Sequence, residues 1–144
     1  MGTAGGLYYL KNKIKDHFFL TNCDTIVHAN YFNILNSHLK NKNDITVVVA
    51  RKIFNLPYGV CNVEKENFQL VEKPKLKFKV NVGLYLLNKN ILNLIKKKRY
   101  LDFNILLTNS LKMKKKVGYY EINDRDWIDV GRMDKYKNFF NKNI

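Results

Sequence analysis

Short apolar runs alternate with amphipathic stretches along the first half of this chain. The Gly-rich start leads into apolar positions at helical spacing up to residue 15, which predicts a turn followed by a helix. The run at 17–22 and the β-branched run at 45–50 predict buried strands, and the apolar stripe over 30–40 predicts a helix between them. Strand, helix and strand in this order form a βαβ unit, so an α/β fold is predicted.

The middle of the chain changes to an alternation of period two, at 58–64 and again at 68–72. These runs flank a turn at 65–67 and predict a β-hairpin, which Pro74 ends because proline supplies no N–H to the ladder. The rest predicts a strand at 81–87, helices at 89–97 and 101–113, a strand at 116–122 and a closing helix after residue 131. The predicted architecture is one α/β domain over 1–144 with an inserted antiparallel hairpin.

The composition fits a globular protein: 46% of the 144 residues are hydrophobic, which is enough to bury a core. No signal-peptide pattern is present, and no apolar run approaches the roughly 18 residues that a membrane span requires. Cys23 and Cys61 lie in apolar runs without CxxC spacing, so we expect buried free thiols rather than a disulfide or a zinc site. A cytoplasmic protein without a membrane partner is the expectation.

The formal net charge of +14 makes a nucleic-acid-binding module a candidate class. The excess comes from lysines spread through Asn-rich helices and loops, whereas arginine occurs only at 51, 99, 125 and 132. Nucleic-acid sites normally cluster basic side chains on one face and use arginine for bidentate contacts. A solvated lysine surface is therefore favoured, and a basic nucleic-acid module is the alternative.

Two carboxylates far apart in sequence each follow an apolar strand-like run. Asp24 is expected at the carboxyl end of a central strand, where open α/β sheets bind ligands. Asp129 stands between Ile128 and Val130, so its carboxylate must be desolvated, paired or metal-bound. Mg²⁺ takes one or two carboxylates and leaves its other positions to water and phosphate oxygens. The pair predicts a magnesium site, although for Asp24 taken alone a helix N-cap or turn residue is the favoured interpretation.

Other positions carry weaker signals when each is taken alone. Glu72 and Lys73 precede Pro74, where a carboxylate could accept sugar hydroxyls and an ammonium could meet a phosphate, but a solvated turn is the favoured interpretation. Glycines at 5, 59 and 83 would let a ligand approach the backbone closely. Helix-start flexibility, a bulge or tight packing is the alternative for them.

Taken in order, the motifs resemble one known family. Gly-Thr-Ala-Gly, Asn-Cys-Asp, Tyr-Gly-Val, Glu-Lys-Pro, Asn-Val-Gly and Trp-Ile-Asp-Val-Gly follow one another as in the sugar-1-phosphate nucleotidyltransferases, or NDP-sugar pyrophosphorylases, from residue 2 to about 136. The resemblance implies a Rossmann-like, GT-A-like mixed sheet flanked by helices. It also implies that a nucleoside triphosphate and a sugar 1-phosphate react to give an NDP-sugar and pyrophosphate.

The resemblance also implies roles for single residues. Positions matching Asp24 and Asp129 hold Mg²⁺, and the lysine matching Lys73 meets the sugar phosphate; these three are the expected catalytic residues. The remaining expected contacts are Gly5 against the base, Tyr58 and Gly59 beside the sugar, Glu72 on sugar hydroxyls, and Asn81 and Gly83 lining the sugar pocket.

One part of the family pattern does not occur in this sequence. The signature loop of the type GGxGTRLxPLT, which cradles the triphosphate, has no counterpart here. We therefore expect a partial domain with little activity alone, which would associate with itself or with an N-terminal segment through an exposed sheet edge. A non-catalytic or regulatory relative is the alternative. The motif wording leans towards the mannose-1-phosphate guanylyltransferase-like or glucose-1-phosphate branch but does not determine the sugar or the base.

Overall fold

The computed structural model describes residues 2–65, 67–97 and 99–131. Its helices are α1 (Gly2–Gly5), α2 (Tyr31–Lys40) and α3 (Phe103–Lys112), with 3-10 helices at Gly6–Leu10, Lys89–Leu94 and Asp124–Asp126. Its strands are β1 (His17–Thr21), β2 (Thr25–Val27), β3 (Ile45–Asn55), β4 (Val60–Glu64), β5 (Asn67–Val71), β6 (Lys75–Asn88), β7 (Val117–Ile122) and β8 (Trp127–Asp129). None of the helices in these ranges is long and apolar enough to cross a membrane.

The main sheet contains four strands in the order β1-β6-β3-β7. β6 runs antiparallel to both of its neighbours, whereas β3 and β7 are parallel. β1 and β3 therefore point the same way and are joined through α2, as the βαβ prediction required. Within the described ranges β1 is an edge strand, so the expectation that Asp24 follows a central strand is wrong. The reason is that β1 pairs on one side only within these ranges, with β6, which comes later in the chain and separates β1 from β3.

Alternation along the strands divides the core into two layers. Ile45, Val47 and Val49 face one side of the sheet, together with α3 and the first two 3-10 helices. Val48 and Ala50 face the other side, where Ile34 of α2 covers them. Apolar side chains on both faces are the hallmark of an α/β sheet with helices on each side, which confirms the predicted fold class.

Several elements differ from the sequence-based expectations. The Gly-rich start is itself helical, and the helix predicted at 89–97 is the 3-10 helix Lys89–Leu94. β3 and β6 continue beyond the core as an exposed two-stranded arm, because their cross-strand pairs extend to Asn55 and Lys75. The predicted closing helix lies outside the described residues.

The expectation of buried thiols is wrong, because both cysteines are exposed. β1 ends at Thr21, so Cys23 belongs to the turn that follows it. Cys61 lies on the β4–β5 hairpin, which forms a separate two-stranded sheet. Apolar neighbours in the sequence therefore did not lead to burial of either cysteine.

Candidate functional site

Two short strands bring the acidic turns together. β2 pairs antiparallel with β8, and Thr25 stands opposite Asp129 in the register. The Val130 N–H donates a 2.9 Å hydrogen bond to the Asp24 carbonyl oxygen. Residues more than a hundred positions apart therefore lie side by side, as the metal hypothesis required.

Gly131 leaves the space between the carboxylates open. A Cβ at this position would stand 2.6 Å from Oδ2 of Asp24 and 3.4 Å from Oδ1 of Asp129, so both carboxylates approach one point. Within the described ranges, no hydrogen bond or ion pair joins either carboxylate to another side chain. Asp24 is exposed in its turn, and Asn30, not Asp24, caps α2 by accepting the Asn33 N–H. Asp24 is therefore a turn residue and not the N-cap of a helix.

The donors that the described residues bring together are two carboxylates. Across residues 2–65, 67–97 and 99–131, no group of three or more His, Cys, Asp or Glu side chains is arranged to hold a metal. Among the described residues, an ion between Asp24 and Asp129 would find these two carboxylates, and water or phosphate oxygens could complete its ligands. Mg²⁺ prefers this arrangement, whereas structural zinc requires four protein ligands.

The Asn81–Gly83 motif lies next to the Asp24 turn. The Asn22 N–H donates to the Gly83 carbonyl oxygen at 2.9 Å, and the Gly83 N–H donates to Oδ1 of Asn81 at 3.0 Å. Gly83 has a φ of +80°, and a Cβ there would meet Nδ2 of Asn22 at 2.8 Å. Glycine is required by both the backbone conformation and the close approach.

A polar cavity of about 350 Å³ opens beside this motif, lined by Thr3, Asn22, Asn81, Tyr85, Asp102, Phe103 and Asn104. Nδ2 of Asn81 donates to the Tyr85 hydroxyl at 2.7 Å, and burial raises the pKa of that phenol. Gly5 is buried in α1 and does not line the cavity; Thr3 of the same motif does. Asp102 was not among the predicted site residues, although an aspartate directly before an amphipathic stretch is a helix N-cap signal.

A second set of predicted residues lies at the open end of the β4–β5 hairpin. A Cβ on Gly59 would stand 2.8 Å from Oε2 of Glu72, so the Tyr-Gly and Glu-Lys-Pro motifs meet. Nζ of Lys73 lies 3.9 Å from Oε1 of Glu72, and both side chains are well exposed. Tyr58 is 76% exposed and free to contact a ligand. Lys73 precedes the start of β6, whereas Asn81 and Gly83 lie in its middle, so the two sets are separated along the chain by the first part of this strand.

A mixed sheet with helices on both faces and two carboxylates brought together beyond it place the chain in the Rossmann-like α/β class, whose ligands bind beyond the strand ends. The chain belongs to the nucleotidyl transferase family, whose model matches residues 1–143.

Relatives in plants belong to the same family. A probable mannose-1-phosphate guanylyltransferase 1 from Oryza sativa subsp. japonica is 33% identical over 107 residues, which cover 68% of this chain and 30% of that protein. A probable mannose-1-phosphate guanylyltransferase 3 from Arabidopsis thaliana is 28% identical over 145 residues, covering 94% and 43%. The chain thus spans less than half the length of these relatives.

The fold is similar to that of solved structures. HddC from Yersinia pseudotuberculosis superimposes with a TM-score of 0.72 at 21% identity, covering 99% of this chain and 63% of that one. The same protein complexed with GMP-PN gives a TM-score of 0.69 at 19% identity. At this identity the likeness supports the fold.

Proposed function

We propose that this chain forms the metal and sugar-phosphate part of a sugar-1-phosphate nucleotidyltransferase. The observation that carries the proposal is the convergence of Asp24 and Asp129 on the open space beside Gly131. The reaction joins a nucleoside triphosphate to a sugar 1-phosphate and releases pyrophosphate. Because the matched relatives are mannose-1-phosphate guanylyltransferases, mannose 1-phosphate and a guanine nucleotide are the proposed substrates.

The proposed chemistry consists of positioning and charge neutralisation. An oxygen of one phosphate group attacks the phosphorus of a second phosphate group in line. Repulsion between these anions is the main barrier, so no strong general base is needed. Mg²⁺, when bound, would neutralise phosphate charge, and Asp24 and Asp129 are the residues that would hold it. Lys73 supplies a cation for the sugar phosphate. Glu72 accepts hydrogen bonds from the sugar hydroxyl groups, and Asn81 lines the sugar side of the cavity.

Calorimetric titration of the purified chain with GDP-mannose and with mannose 1-phosphate, each with and without Mg²⁺, tests this function. We expect Mg²⁺-dependent binding of both compounds. We expect Lys73→Ala to weaken mannose 1-phosphate binding by roughly fivefold, since it removes one charge-assisted contact. Lys65→Ala is the matched control, because Lys65 is an exposed lysine in the turn of the hairpin and, like Lys73, has a positive φ. Absence of binding to the unaltered chain would contradict the proposed function.

We also propose that the chain associates with itself through the hairpin. The register places Val63 opposite Phe68 and Cys61 opposite Leu70, so these four side chains share one face. Val63, Phe68 and Leu70 are 66%, 65% and 60% exposed. A two-stranded hairpin is marginally stable alone, and these four positions form an uncharged apolar patch on which a second copy can pack.

The hairpin offers a matched pair of variants for this test. Phe68→Glu and Gln69→Glu add the same charge to adjacent exposed positions on opposite faces of β5. In sedimentation equilibrium we expect Phe68→Glu to weaken association at least roughly tenfold, because it places a charge in an apolar contact. Gln69→Glu should leave association unchanged. A chain that is monomeric at every concentration, or equal effects of both variants, would rule out this interface.

Exposed Cys23 and Cys61 agree with a reducing compartment, where such thiols stay unpaired. We propose the cytoplasm as the site of action.

A further inference from the structure

The Gly2–Gly5 segment is fastened to the start of α3 by four hydrogen bonds. The Thr3 N–H donates to Oδ1 of Asp102 at 3.1 Å, and the Phe103 N–H donates to Oγ1 of Thr3 at 2.9 Å. The Ala4 and Gly5 N–H groups both donate to the Leu101 carbonyl oxygen, at 2.9 and 3.0 Å. Each helix therefore satisfies unpaired N–H groups at the start of the other.

This is a reciprocal cap between distant segments. Asp102 is the N-cap residue of α3, yet its side chain makes no capping bond within that helix. Its carboxylate binds the α1 backbone instead, and the Thr3 hydroxyl serves α3. An ordinary N-cap acts over two or three residues, whereas this exchange joins positions 99 and 100 residues apart.

The surroundings of Asp102 favour its charged form and a close approach. The Thr3 N–H and then the Tyr100 hydroxyl, which donates at 2.9 Å, hold the pKa of Asp102 below its usual range. Gly2 has a φ of +72°, and a Cβ there would stand 2.6 Å from the Leu101 carbonyl oxygen. The segment can come this close only because residue 2 is glycine.

A continuous set of contacts runs from this cap to the candidate site. The Phe103 ring stacks on Tyr85 with centroids 3.7 Å apart and an interplanar angle of 24°. The Tyr85 hydroxyl accepts from Asn81, and Asn81 accepts the Gly83 N–H. Thr3 and Asp102 line the same cavity as Asn81.

We propose that Thr3 and Asp102 are positioning residues. Their reciprocal cap fixes the position of the Phe103 ring, and the contact of that ring with Tyr85 fixes the orientation of the Asn81 side chain at the cavity. Neither residue needs to touch the reacting atoms. The claim about ligand affinity rests on the proposed function, whereas the claim about Asn81 placement is independent of it.

Hydrogen exchange and NMR of the full chain separate these claims. Thr3→Val removes the hydroxyl, and we expect the Phe103 amide to exchange about tenfold faster, the effect of losing one cap. The Asn81 side-chain amide resonance should shift in the same variant. Thr3→Ser keeps the hydroxyl and should restore both signals. Thr108→Val is the matched control on α3, since its hydroxyl bonds only within that helix, to the Asn104 carbonyl oxygen.

Ligand titration adds the functional readout. We expect Thr3→Val and Asp102→Ala to weaken GDP-mannose binding with Mg²⁺ at least roughly threefold, and Thr3→Ser to bind like the unaltered chain. If the unaltered chain binds nothing, the proposed function fails while the NMR shift still decides the positioning claim. Faster exchange with an unmoved Asn81 resonance would overturn the proposal, as would unchanged exchange in Thr3→Val. If Thr3→Val does not fold, the same test is made with Asp102→Ala. There the exchange rate of the Thr3 amide is measured together with the Asn81 side-chain resonance.

Discussion

Asp129→Asn is expected to weaken Mg²⁺-dependent binding of GDP-mannose by about 100-fold. Loss of a residue that only supports a metal ligand already lowers metal affinity by up to about 100-fold, and loss of a direct ligand should cost at least as much. The variant keeps the shape of the side chain but removes the charge that would face the ion beside Gly131. Asp24→Asn should act alike, because the two carboxylates approach the same point. Titration calorimetry with and without Mg²⁺ measures the effect.

Two further variants separate a metal site from a structural role. Gly131→Ala leaves both carboxylates intact but puts a Cβ 2.6 Å from Oδ2 of Asp24, so roughly tenfold weaker binding is expected. Asp16→Asn removes an acidic group that pairs with His17 and should not change binding.

The free energy of unfolding without metal should stay within about 0.5 kcal/mol for these surface changes. It should rise slightly on neutralising Asp24 or Asp129, because that relieves repulsion between two nearby anions. A large loss of stability in Asp129→Asn, with binding unaffected in Gly131→Ala, would refute the metal assignment.

The second large effect is acid destabilisation through His38. This side chain has no exposed surface; its Nδ1 lies 2.7 Å from Oγ1 of Thr46, and its Nε2 has no hydrogen-bond partner within the described residues. Burial, with a further contribution from His17, lowers the pKa of His38 from 6.5 to about 4, while Asp44 acts weakly in the opposite direction. Protonation is therefore easier in the unfolded chain than in the folded one.

The pH range follows from this direction of the shift. Above pH 6.5 the imidazole is neutral in both states and costs nothing. As the pH falls from 6.5 towards 4, the unfolded chain takes up a proton that the folded chain does not. The expected loss is about 3 kcal/mol of the free energy of unfolding at pH 4.

Urea unfolding at pH 7, 5.5 and 4 tests this dependence. His38→Gln should lose clearly less stability on acidification, because glutamine does not titrate. His28→Gln is the control, since His28 is exposed and should leave the pH dependence unchanged. If His38→Gln and the unaltered chain lose stability in parallel, His38 is not the acid-sensitive group.

Much of the fold could be predicted because local patterns reflect local geometry. The helix predicted at 30–40 is α2, and the period-two runs form the hairpin, since both depend on side-chain spacing within one element. The long extensions of β3 and β6 could not be predicted. Their cross-strand pairs mix charged and apolar residues, such as Lys52 with Phe78 and Ile53 with Lys77, so no face of the arm carries a consistent burial signal.

For the site, the sequence by itself determined which chemical groups were available and in what order. Carboxylates at 24 and 129, the Glu72–Lys73 pair and the glycines at 59, 83 and 131 could all be listed without coordinates. Only the tertiary structure decided which of them meet. The pairing of β2 with β8 and the exchange of caps between Thr3 and Asp102 join residues about a hundred positions apart. Such contacts depend on how separate elements pack, and no periodicity within one segment encodes them.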